Sequence, residues 1–144
     1  MGMNMDERVF NDTVAAVPDA GQVGWFAARQ PAILRYLEAR CGGPNDAFAV
    51  ALEAAWRMCI VMERATGRPP ARVTHTDLLA AERVAAVDAA GAMLSSSIAA
   101  RHPQLCGWLG DFLADPPALL TVDERRTVGD TLVTVLICVL VTAL

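Results

Sequence analysis

The sequence predicts an all-α protein of 144 residues, a single domain built as a four- to five-helix bundle. Hydrophobic residues make up 54% of the chain and charged residues only 19%, which indicates a large core and argues against disorder. Apolar residues recur at helical spacing between glycine and proline breaks. A C-terminal segment, residues 121–144, begins with a helix-capping signal and ends in a charge-free run.

The C-terminal segment is predicted to be the central helix. Thr121 and Glu124 have the spacing of a capping box, in which each side chain accepts a hydrogen bond from the other residue's backbone N–H. No charged residue follows Asp130. A helix that is apolar on every side must be surrounded by other helices or by lipid, and we expect other helices here.

The first half of the chain predicts an N-terminal arm or short helix and two further helices. The arm covers residues 1–21, where Pro18 and Gly21 interrupt the apolar spacing. Pro31 in a first turn predicts a helix that ends near Gly42. A largely buried helix over 45–66 follows.

The second half predicts a long helix over 76–101, capped by Thr76, and a short helix after Pro103. Small and aliphatic residues recur along the long helix at alternating spacings of four and three, which is typical of a helix-packing seam. The seam consists of Ala80, Val84, Val87, Gly91, Leu94 and Ile98.

Two segments resemble each other and indicate an internal repeat. Residues 30–41 and 102–113 share a proline, an aliphatic residue, an aromatic residue and a leucine at matching positions. A capped, mostly apolar helix follows each segment. The interpretation is two helical hairpins, 30–66 and 102–144, joined by the long helix, with helices 45–66 and 121–144 packed together at the centre.

Charge and composition exclude several functional classes. The net charge of −4 gives no electrostatic basis for binding nucleic acid or an anionic membrane surface. All 12 basic residues are arginine, which excludes lysine Schiff-base chemistry and a phosphate-loop lysine. The absence of lysine and the abundance of alanine indicate a GC-rich bacterial genome. Four well-separated cysteines, with no signal peptide, predict a reduced cytoplasmic location.

His102 and Cys106 are the best nucleophile and base candidates that the sequence offers. Four residues apart, they would share one face of a helix near its N-terminus, where a thiol pKa can be depressed. In the repeat, however, Cys106 matches Leu34 and His102 matches Gln30 beside a helix start. We therefore expect a packing role for the cysteine and a capping role for the histidine.

Glu53 and Asp130 each stand in an otherwise apolar stretch and are candidates for buried polar groups. Two carboxylates facing each other across the core could share a proton or be neutralised by Arg57. The interpretation we favour is an exposed Glu53–Arg57 pair at i, i+4 spacing, with Asp130 in the charged first turns of its helix.

Metal, cofactor and membrane signals are weak or missing in the sequence. The two histidines and scattered cysteines form no zinc or di-iron pattern, and no glycine-rich phosphate loop or serine-hydrolase elbow occurs. The uncharged run 131–144 is shorter than the roughly 20 residues that span a bilayer, so a tail anchor is the disfavoured alternative.

The functional expectation is a non-enzymatic interaction or scaffold protein, a homodimer or a partner of another protein that covers surplus apolar surface. The alternative is a small-molecule binding or sensing protein with an apolar pocket between its helices. No bound cofactor or metal is expected on either hypothesis.

Overall fold

A computed structural model describes residues 5–88 and 101–142 and is all-helical across them, which confirms the predicted fold class. The backbone forms seven helices in this part of the chain. They are α1 (Glu7–Ala15), α2 (Ala20–Arg29), α3 (Pro31–Cys41), α4 (Asp46–Thr66), α5 (His75–Asp88), α6 (Pro103–Ala114) and α7 (Val122–Thr142).

Helix α7 lies in the middle of the hydrophobic core. From Val128 to Leu140 almost every side chain is buried, on all sides of the helix. The most extensive contacts of α7 are with α4 and α5, and α3 and α6 pack on it as well. Helices α1 and α2 pack on the outside of α4. In the described part of the chain, no helix has the length and hydropathy needed to cross a membrane.

The threonines of α7 show how polar atoms are accommodated inside this core. Thr131 and Thr134 are both buried, and each hydroxyl donates a hydrogen bond to the carbonyl four residues earlier. The donor–acceptor distances are 2.6 Å and 3.1 Å. This local bond satisfies the hydroxyl without a partner from another helix, so α7 can be enclosed by apolar neighbours.

Several helix ends lie where the sequence predicts them. The Thr121–Glu124 capping box forms, with N···O distances of 2.9 Å and 3.2 Å. The side-chain oxygen of Asn45 accepts the Phe48 N–H at 2.9 Å and starts α4. Gly42 ends α3 in a left-handed conformation, with φ of 81°, which costs a residue without a Cβ atom little.

The predicted N-cap of the long helix is wrong by two residues. Helix α5 begins at His75, and Thr74 rather than Thr76 caps it. Thr74 Oγ1 accepts the Asp77 N–H at 3.1 Å, and Asp77 Oδ2 accepts the Thr74 N–H at 2.9 Å. Thr74 is the better cap because a capping box needs an acceptor side chain three residues later. Asp77 has that position relative to Thr74, whereas the residue three positions after Thr76 is a leucine.

The two residues of the predicted packing seam whose side chains the structure describes do not face the core. Ala80 and Val84 are exposed, and α5 packs on the core through Leu78, Ala81 and Ala85. The remaining seam positions, the Val87 side chain with Gly91, Leu94 and Ile98, lie outside the described residues, as does the rest of the helix predicted over 76–101.

The segment 1–21, predicted to be an N-terminal arm or short helix, contains the short helix α1, and its last two residues begin α2. Helix α2 passes through Gly21, because Asp19 and Gln22 form a capping box that the sequence interpretation missed. Their two reciprocal bonds measure 2.8 Å and 2.9 Å. Glycine keeps its backbone N–H, so its cost in a helix is conformational entropy, which the two capping bonds offset here.

We expect Leu136→Ala to destabilise the protein strongly, because Leu136 is fully buried at the centre of α7. The loss in free energy of unfolding should be about 2–5 kcal/mol, measured by urea denaturation. Val141→Ala is the matched control in the same helix: Val141 is 49% exposed, and the loss should be about 0.5 kcal/mol or less. Equal losses in the two variants would contradict the central position of α7.

Candidate functional site

His102 caps the N-terminus of α6. Its Nδ1 accepts the Leu105 N–H at 3.2 Å, and Pro103 occupies the first helical position. The imidazole is fully buried, and its ring centroid lies 6.3 Å from that of Phe10 in α1. Because Nδ1 is an acceptor, the proton of the neutral ring is on Nε2.

Cys106 shares α6 with His102, yet the two side chains do not form a nucleophile–base pair. The acceptor nitrogen of His102 is used by the backbone, and Nε2 has no hydrogen-bond partner in the described structure. Burial raises the pKa of the Cys106 thiol, which disfavours the nucleophilic thiolate. Burial also lowers the pKa of His102, so no imidazolium stands nearby to stabilise a thiolate.

Arg57 joins α4 to the linker between α1 and α2. Its Nη2 donates to Glu53 Oε1, and its Nε donates to the carbonyl oxygen of Ala16 at 3.1 Å. The Arg57 side chain is only 16% exposed, whereas that of Glu53 is 40% exposed. Asp130 is exposed on α7. Glu53 and Asp130 are therefore not a pair of buried carboxylates that could share a proton. Arg57 links the N-terminal helices to the core.

A cluster of Tyr36, Arg40 and Glu82 links α3 to α5. The sequence pattern did not predict this cluster. Tyr36 Oη donates to Glu82 Oε2 at 2.6 Å, and Arg40 Nη2 lies 3.5 Å from the same oxygen. Burial, followed by the hydrogen bond to Glu82, raises the pKa of Tyr36 to about 12. The phenol therefore stays protonated as a donor, and the cluster suits a structural link better than proton transfer.

A groove with a cavity volume of only about 10 Å³ lies where α2, α4 and the segment after α4 meet. Its apolar walls include Trp25, Ile60 and the Pro69–Pro70 pair. The Arg29 guanidinium lies 5.0 Å from the centre of the Trp25 ring and covers one of its faces. The groove is smaller than the roughly 300–1,000 Å³ of most small-molecule sites.

Helix α5 carries an apolar surface on the side away from the core. The apolar residues of this surface, the α5 outer face, are Leu79, Ala80 and Val84, and the exposed Arg83 lies between Leu79 and Val84. Leu79 is 40% exposed and Val84 is 41% exposed. The opposite side of α5 is also apolar, and among the described residues only that side is covered.

Potential metal ligands do not gather in the described structure. No group of three or more histidine, cysteine, aspartate or glutamate side chains is arranged around a common point there. Cys59 and Cys138 are buried in α4 and α7, and burial raises the pKa of each thiol to about 12. Thiols in that state pack as small apolar groups and are weak nucleophiles.

We expect Cys106 to react slowly with iodoacetamide near neutral pH. Because its thiol pKa is raised, the native protein should alkylate at Cys106 no faster than the urea-unfolded chain does. Peptide mass spectrometry identifies the modified cysteine, and Cys106→Ala is the control for the site. A native rate above that of the unfolded chain, and lost in His102→Ala, would restore the catalytic pair.

Compared with known proteins, the chain matches no protein-family model, no curated protein and no solved structure. The geometry of the chain is therefore the basis for assigning a function.

Proposed function

We propose that this chain is a non-enzymatic helical interaction protein that self-associates as a homodimer through the α5 outer face. The observation that carries the proposal is the exposure of Leu79 and Val84 on a helix whose other side is already buried. Leu79 and Val84 lie roughly 140° apart around the helix, on the half of its surface that the described core does not cover. Exposed aliphatic side chains on such a surface make it a candidate for an interaction.

A second copy of the same helix is the partner that the sequence pattern favours. Ala80 and Val84 are the first two positions of the seam with alternating spacings of four and three. This spacing lets two helices interlock side chains along a shared line, and a small residue such as Ala80 allows a close approach. An isologous contact would cover both copies of the seam at once.

An apolar ligand is the alternative occupant, and it would take a different surface. The groove beside Trp25 combines aromatic and proline walls with Arg29 and Glu63 among its lining residues. Its small volume and the stacking of Arg29 on Trp25 leave little room, so this hypothesis ranks second.

The proposed architecture is a bundle of α3, α4, α5 and α7 with pseudo-repeated hairpins at 30–66 and 102–144. Gln30 and His102 support the repeat, because both are buried residues directly before a proline at the first position of a helix. Ile33 and Leu105 are likewise both fully buried. Contact between α4 and α7 agrees with the central packing that the repeat predicts.

The proposed setting is the reduced cytoplasm of a bacterium. Support comes from the four free cysteines, three of which are buried, and from the use of arginine alone as the basic residue. The net charge of −4 favours a protein partner over nucleic acid.

Native mass spectrometry over a range of protein concentrations tests the proposal. We expect a species of twice the 15.3 kDa chain mass that gives way to the monomer on dilution. A monomer at every concentration would contradict self-association, and a monomer with a reproducible added mass would support the ligand alternative.

Charge substitutions locate the interface. Val84→Glu and Leu79→Glu should each weaken the dimer by roughly tenfold or more, because a carboxylate would be desolvated in the contact. Val17→Glu is the matched control, since Val17 is 75% exposed on the linker between α1 and α2. The thermal stability of the diluted monomer should be similar in all three variants. Equal weakening by Val17→Glu would rule out the α5 outer face as the specific contact.

A further inference from the structure

Helix α1 is tied to the N-terminus of α6 by a small set of contacts. The Met5 N–H donates to Gln104 Oε1 at 2.8 Å, and Gln104 Nε2 donates to the Met5 carbonyl at 2.9 Å. Phe10, which is 7% exposed, lies beside the His102 ring. The capping residue of α6 is thus also part of the surface that receives α1.

Only a neutral imidazole fits this position. Nδ1 accepts the Leu105 N–H, so a second proton on the ring would turn the acceptor into a donor that faces another donor. The added positive charge would also lie at the positive end of the α6 dipole, which disfavours cations. Nε2 is buried and has no hydrogen-bond partner in the described structure, so no carboxylate bonds to it there that would stabilise an imidazolium.

The charged groups around His102 do not compensate a charge on its ring. On α1 and at its cap, Asp6, Glu7, Arg8 and Asp12 are exposed. On its own segment, Arg101 would repel an imidazolium and Asp111 is exposed. Arg64 of α4 reaches α1, but its Nη1 donates to Thr13. The charged residues of α7 fall within 123–130, and none bonds to His102.

We propose that His102 is an acid-sensitive latch: protonation of its ring removes the cap of α6 and releases α1 from the α6 N-terminus. This device is independent of the α5 outer face, because it involves residues of α1, Met5 before that helix, and α6 with its cap, and none of α5. Release would begin with the loss of the Leu105 hydrogen bond and of the Phe10 contact. The Met5–Gln104 pair would then lose the first turn of α6 that positions Gln104.

The direction of the pH dependence follows from the pKa of His102. Burial lowers this pKa from the ordinary value of 6.5, with a smaller opposing effect of hydrogen bonding to the residue's own backbone. The unfolded or released form therefore binds the proton first as the pH falls. The latch should contribute fully to the free energy of unfolding above about pH 6.5. Below that value its contribution should fall progressively, until the pH passes the pKa of His102 in the folded protein.

His102→Asn is the discriminating variant. An asparagine side-chain oxygen can accept the Leu105 N–H as Nδ1 does, and it does not titrate. His75→Asn is the matched control, because His75 is the other histidine of the chain and is exposed on α5. The experiment compares hydrogen-exchange protection of α1 and of the first turn of α6 at about pH 7.5 and about pH 5 in full-length protein.

We expect protection of both segments to fall at the lower pH in the wild type and in His75→Asn, and to stay within about twofold in His102→Asn. Protection of the α4 and α7 amides should change less than that of α1 in every variant. An equal fall in His102→Asn and in the wild type would overturn the latch.

A second measurement needs no variant and so covers the case in which His102→Asn fails to fold. NMR titration of the wild type should show the His102 ring and the Leu105 amide changing together, with a midpoint below 6.5. A midpoint at or above 6.5, or a Leu105 amide that does not respond, would also overturn the proposal.

Discussion

Enclosure of α7 is the constraint on which the rest of the structure depends. The run after Asp130 has no charged side chain, so no face of that helix can be turned to water without exposing a wide apolar surface. Helices α3, α4 and α5 cover it, and α6 approaches it closely where Gly129 faces Leu113. The long buried stretch of α4 is the counterpart of this requirement, because a fully apolar helix needs an equally apolar neighbour.

Two polar side chains that reach the interior connect separate backbone segments. Gln30 is the clearest case: its Nε2 donates to the Ala71 carbonyl, and its Oε1 accepts the Val73 N–H, which fastens the segment before α5. Arg57 does the same for the linker before α2. Buried polar groups with satisfied partners specify how separate segments attach to a core. The buried threonines, in contrast, bond to carbonyls of their own helices.

Two features of the protein go beyond holding the fold together. The α5 outer face has apolar surface in excess of what the fold covers, which favours association. His102 has a buried donor without a partner and an acceptor already in use, which makes its neutral state a condition of the α1–α6 contact. Neither feature resembles a catalytic arrangement, because neither brings an activated nucleophile or a pair of coupled titratable groups together.

Local signals in the sequence determined the helical class and several helix boundaries. Thr121, Asn45 and Gly42 act on backbone groups within a few residues of themselves, so their roles were readable without knowledge of the fold. The Asp19–Gln22 and Thr74–Asp77 boxes carried the same kind of signal and were overlooked, which shifted two boundaries.

Only the tertiary structure decided which faces are covered and which distant side chains meet. The orientation of α5, with Val84 outward, depends on where α3 and α7 lie, and a repeating apolar pattern cannot distinguish a face that meets the core from one that meets another chain. The Tyr36–Glu82 bond and the contact of His102 with Phe10 join residues far apart in sequence. Such contacts follow from the packing of whole helices around α7, because spacing along a chain specifies neighbours only within one helix.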